Sequence, residues 1–95
     1  MPPLLRAIQI LLPEAELRIE AMRHWHSMTF HGQQLTLSAR IGGPDPEQRA
    51  AKFASYLPRH EFAIPGQLVA DATVVSIRDT SDGVVLSIEA LVLDD

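Results

Sequence analysis

Gly32-Gln33 lies between two runs of alternating residues, and it restricts the chain's possible folds more than any other feature. Gly-X favours a two-residue type II′ hairpin, whose first turn position needs positive φ. A reversal there predicts one face pairing Phe30 with Leu35, Met28 with Leu37, His26 with Ala39 and His24 with Ile41. The other face pairs Thr29 with Thr36, Ser27 with Ser38 and Trp25 with Arg40. Apolar partners then meet on one side, and hydroxyls and a cation–π pair lie on the other.

Gly42-Gly43-Pro44 ends this hairpin. Asp45 suits a helix N-cap, Pro46 the first helical position and Glu47 the positive end of the dipole. Ala50, Phe53, Ala54 and Leu57 recur at helical spacing, which predicts a helix over about 46–57, stopped by Pro58. Pro65-Gly66 fits a type II turn and launches a strand over about 68–78. Asp82-Gly83 marks a return strand over 84–93. A type I′ turn there pairs Ile77 with Ile88 and Val75 with Ala90, and sets Asp71 against Asp94, a repulsive match unless the register shifts. The last strand is apolar on both faces near Leu91, Val92 and Leu93, as expected of a central strand or one covered by another subunit.

Residues 4–23 admit two readings. As strands, Leu12 pairs with Leu17, Ile10 with Ile19 and Ile8 with Ala21, with a bulge near Arg23–Trp25 to correct the inward parity. As a helix, Glu14–Arg23 has good propensity and a Glu14–Arg18 pair, but those two charges fall inside its apolar arc. Strands are preferred, because Leu17–Met22 repeats the pattern of Leu86–Leu91. The expected fold is one α+β domain over 1–95: a curved antiparallel sheet of β-hairpins with one helix packed on one face. The alternative is a ferredoxin-like βαββαβ order plus an extra strand. Both place Phe30, Leu35, Leu37, Phe53, Leu57, Val75, Ile77, Leu86 and Ile88 in the core.

The stretch from Ile64-Pro65-Gly66 to Asp95 resembles the terminal strands of hot-dog-fold thioesterases and dehydratases. Here, however, the helix follows a hairpin instead of being wrapped early by the sheet, and residues 49–57 hold no acidic side chain. The likeness therefore assigns neither membership nor activity.

With 46% hydrophobic and 21% charged residues the chain is globular in composition. A net charge of −4 argues against nucleic-acid binding, which needs a surplus of cations on one face. The absence of cysteine excludes disulfides, thiolate metal sites and cysteine nucleophiles. No run approaches the ~18 apolar residues that cross a bilayer, so a cytoplasmic location is expected.

His24 and His26 share a face of one strand, a spacing that metal sites on sheets use, but the predicted neighbours Ile41 and Ala39 cannot ligate. No metal and no cofactor are assigned. Gly42-Gly43 before a helix is a turn, since Asp45 would repel an anion and Pro46 removes an N–H. In Arg59-His60-Glu61 the adjacent side chains diverge, so no catalytic pair forms and no catalytic residue is assigned. The spare apolar residues, with Leu4 and Leu5 among them, point to a non-enzymatic interaction module. It would form a homodimer or part of a larger assembly, with Trp25, Arg40, Leu91 and Leu93 at the interface. The second reading is a small-ligand or acyl-group binding domain, possible also as a catalyst, with a pocket on the open sheet face near His24, His26 and Asp71.

Overall fold

In the computed structural model, which describes residues 2–94, Gly32 lies inside a strand and not in a turn. Met1 and Asp95, the ends of the expected 1–95 domain, lie outside the described residues. Strand β1 (Glu16–His26) pairs antiparallel with β2 (His31–Ile41) through His26↔His31 and Trp25↔Gly32. The reversal occupies residues 27–30. The Ser27 N–H donates to the Phe30 carbonyl at 2.8 Å, and the Ser27 hydroxyl accepts from the Phe30 N–H at 3.2 Å. The predicted Phe30–Leu35 register is thus corrected: Leu35 faces Met22, and the turn lies nearer the N-terminus. Glycine is required at position 32 because of its neighbour β4 (Gly83–Asp94), since a Cβ there would overlap the Val92 carbonyl. The displacement is even in residues, so the inward parity survives. Leu35, Leu37, Ala39 and Ile41 are buried as expected, while Met28 and Phe30 are exposed in and beside the turn.

Residues 3–11 form a helix and not the expected strand. Pro3 opens α1 (Pro3–Leu11) with φ already suited to the first turn. The test of period is Ile10. A strand would put Ile8, Ile10 and Leu12 on one face, yet Ile8 and Leu12 are buried and Ile10 is 76% exposed. Pro13 follows the helix, and the Gln9 side-chain amide donates to the carbonyls of Leu12 and Ala15, both at 2.8 Å. This cap ties the helix end to the start of β1. The second half of the uncertain stretch is strand, which removes the Glu14–Arg23 helix and with it the ferredoxin-like order. The required bulge falls at Glu20, between Ile19 and Ala21, and not near Arg23–Trp25.

The second helix, α2 (Pro46–Tyr56), runs into a 3-10 turn over Leu57–Arg59. Asp45 stands at the N-cap in a left-handed conformation, φ 49°, and its side chain caps nothing. Arg49 ties this loop instead, donating to the Gly42 carbonyl at 2.6 Å and pairing with Glu14 at 3.2 Å. Ala50, Phe53 and Leu57 are buried, and the two large side chains contribute about 1.5–3 kcal/mol each.

Gly66, at φ 78°, and the Gln67 N–H to Ile64 carbonyl bond of 3.1 Å confirm the turn at Pro65-Gly66. Strand β3 (Gln67–Thr80) returns through Ser81-Asp82, so Thr80 faces Gly83. Ile77 consequently faces Leu86, and Asp71 faces Leu91, so the Asp71–Asp94 clash never arises. Bulges at Ala70 and Val75 adjust the register. Val75 and Ile77, expected in the core, are about half exposed on this edge strand.

The sheet order is β1-β2-β4-β3, with all neighbours antiparallel, so doubly apolar β4 is central. Leu37, Ile41, Val84, Leu86 and Ile88 form the inner layer, with Leu4 and Ile8 of α1 and Phe53 of α2 in the same cluster. The chain is an α+β domain with both helices on one sheet face and the other face bare. Among the described residues no helix is long and apolar enough to cross a membrane.

Candidate functional site: the open sheet face

Alternation along the strands assigns every second residue to the bare face, and the register arranges these residues in rows. At one end stands Trp25–Gly32–Leu93–Leu68, read from β1 across β2 and β4 to β3. Next come Arg23–Gln34–Leu91–Asp71 and then Ala21–Thr36–Glu89–Thr73. The far end holds Arg18–Ser38–Ser87–Ser76 and finally Glu16–Arg40–Val85–Arg78. The face is thus graded from apolar to charged along the strands.

The charged end encloses a hollow of about 580 Å³. Its shape follows from side-chain length: Ser38, Ser87 and Ser76 form a short floor, and Glu16, Arg18, Glu20, Arg40 and Arg78 rise around it. Bulging at Glu20 swings that carboxylate onto the open face, where Oε1 accepts from the Ser38 hydroxyl at 2.8 Å. Among the described residues the only ion pair is Arg49–Glu14, so Arg18, Arg40 and Arg78 have no described carboxylate within 4.0 Å. Two rows from the serine floor the Arg23 guanidinium donates to Gln34 Oε1 at 3.3 Å, and Asp71 Oδ1 accepts from Thr73 of the intervening row at 3.4 Å.

The structure separates the three residues named as ligand contacts. His24 and His26 project from β1 on the helix side of the sheet, beyond the helices, and His26 stacks with His31 at 6.2 Å. Asp71 projects from β3 on the open face. The two edge strands lie about 14 Å apart across the sheet, so these groups form no common pocket. Trp25, Leu91, Leu93 and Arg40 do share the open face, but Trp25 faces Gly32 and Arg40 faces Glu16, and the expected Trp25–Arg40 pair is absent. His60 accepts or donates at 2.8 Å with the Tyr56 hydroxyl and meets Phe62 edge-on at 4.5 Å, a local clasp after α2. Among the described residues no three His, Asp or Glu side chains gather as a metal site would require.

A second hollow, about 450 Å³, lies on the helix side between Leu11–Glu14 and the Arg49, Lys52, Phe53 and Tyr56 side of α2. It is bridged by the Arg49–Glu14 pair and is more apolar than the first. Sequence reasoning missed the arginine and serine floor of the open face. Its signal is the Glu-x-Arg-x-Glu, Ser-x-Arg and Ser-x-Arg alternation at 16–20, 38–40 and 76–78, which says nothing of convergence until strand order is known. Comparison with protein-family models, curated proteins and solved structures returned no match.

Proposed function

We propose that this domain is a non-enzymatic protein-interaction module whose working surface is the open face of the sheet. One observation carries the reading: both helices lie on one side, leaving a four-stranded face bare with Trp25, Leu68, Leu91 and Leu93 grouped at its end. Folded monomers seldom leave an apolar group of this kind uncovered, and Trp with Arg is the usual composition of an interface anchor. The separation of His24 and His26 from Asp71 leaves the interaction reading without the competing pocket that those three residues would have formed. With this reading go a cytoplasmic location and partners that are neither nucleic acid nor bilayer. Analytical ultracentrifugation up to high micromolar concentration tests the homodimer form. A concentration-dependent rise in mass is expected, and a strict monomer would reject self-association.

The hollow at the charged end favours a second reading, a small ligand carrying negative charge held by Arg18, Arg40 and Arg78. Saturation with such a ligand at a hundredfold excess over Kd would raise stability by about 2.7 kcal/mol. A panel of carboxylates and phosphates that leaves Tm unmoved removes this reading.

A further inference from the structure

We infer that the occupant of the open face is a second copy of this chain, related by a two-fold axis that runs parallel to the strands between β2 and β4. The inference rests on the interaction reading above and names its partner. Such an axis keeps each row at its own height and reverses it, so β1 of one copy lies over β3 of the other. On the edge strands the two end rows and the Arg23 row then meet complementary partners, whereas on the central strands Gln34 lies over Leu91. Trp25 lies over Leu68 of the second copy, and Arg23 lies over its Asp71. At the far end Glu16 lies over Arg78, and Arg40 lies over Val85. In the serine row long Arg18 stands over short Ser76, so the raised edge of each copy enters the sunken edge of the other. Thr36 lies over Glu89, a hydroxyl beside a carboxylate. Opposite charges meet along the edge strands, while beside the axis Glu89 of one copy neighbours Glu89 of the other and Arg40 neighbours Arg40, both at the same row height.

Charge is what makes the pattern informative. Strands β1 and β3 carry opposite signs at matching heights, positive Arg23 level with negative Asp71 and negative Glu16 level with positive Arg78. A reversal across the strands turns both differences into attractions, whereas an axis at right angles to the strands would lay the apolar row over the charged one. Aligned sheets cross at about 30°, which displaces facing edge-strand side chains by about 5 Å in the Arg23–Asp71 row, an offset an arginine side chain spans, and by about 8 Å in the two end rows. The face measures about 19 Å by 33 Å from strand spacing and rise, so two copies bury roughly 1,200 Å², the lower bound of a standard interface.

The experiment is a charge exchange between copies. R23D and D71R each alter an exposed residue, and unchanged circular dichroism and melting confirm that each folds. By symmetry each change replaces two attractions with two repulsions, so each variant alone is expected to dimerise at least about tenfold more weakly in sedimentation equilibrium. A 1:1 mixture of R23D and D71R restores both attractions in the mixed dimer and is expected to associate within about threefold of the original chain. Two single variants that dimerise like the original chain overturn this geometry, with the interaction reading left standing on another surface. A mixture that stays dissociated also overturns it, since residues 23 and 71 then do not meet. An original chain that is monomeric throughout overturns both the two-fold face and the self-association reading.

Discussion

Gly32 shows how one residue type answers two different physical demands. A tight turn requires glycine for positive φ, and a close backbone approach requires it because there is no room for Cβ. Position 32 serves the second, with the Val92 carbonyl where a Cβ would sit, while Gly66 serves the first at φ 78° with open space around it. Asparagine tolerates the left-handed region, so it separates the two cases. Gly66→Asn is expected to change stability by no more than about 0.5 kcal/mol, and Gly32→Asn to cost about 3 kcal/mol. Urea unfolding of the two variants measures the difference; equal costs would return Gly32 to a turn role. The better local signal for the first reversal was Ser27, whose hydroxyl accepts from the N–H groups of Thr29 and Phe30.

At the scale of elements, β2, α2, β3 and β4 were legible because several local cues agreed at each. Pro46 and Glu47 begin α2, its apolar spacing continues through Phe53, and the Pro65-Gly66 turn fixes where β3 can start. Helix α1 was missed because Ile8, Ile10 and Leu12 satisfy a two-residue period as well as Leu4, Leu5, Ile8 and Leu12 satisfy a helical one. Tertiary cover decided between them, since Leu4, Leu5 and Ile8 reach the core only from a helix. Ile8→Ala is therefore expected to cost about 2–5 kcal/mol, against no more than about 0.5 kcal/mol for Ile10→Ala. Equal losses in thermal unfolding would argue for a strand after all. Parity held along β2, β4 and the turn-proximal part of β3, where the register shifted by an even number of residues, but the Val75 bulge reversed it beyond, turning Val74 and Ala72 inward in place of Val75.

For the whole molecule, the decisive fact is that β4 inserts between β2 and β3. Local sequence encodes the two hairpins, but the β2–β4 pairing joins distant segments and leaves no local mark. The rows of the open face exist only once that pairing is made. This is why His24, His26 and Asp71 were nominated together and found apart, and why the serine floor went unseen. Trp25, Leu91 and Leu93 do lie on the bare face, but Leu4 and Leu5, counted as spare with them, are buried in the core by α1, because surplus hydrophobicity cannot be told from core cover until the helix is placed.

The bulges at Ala70 and Val75 bear on how the molecule avoids growing sideways. Strand β3 is a long sheet margin with Leu68, Val75 and Ile77 about half exposed and no lysine, a profile that invites backbone recruitment from other chains. An extra residue at each bulge breaks the even spacing of amides that an incoming strand would need. Deleting Val75 straightens the margin, and the expected outcome is accelerated fibril formation in a thioflavin assay. A variant that stays dispersed would show that something other than the bulge keeps this border closed.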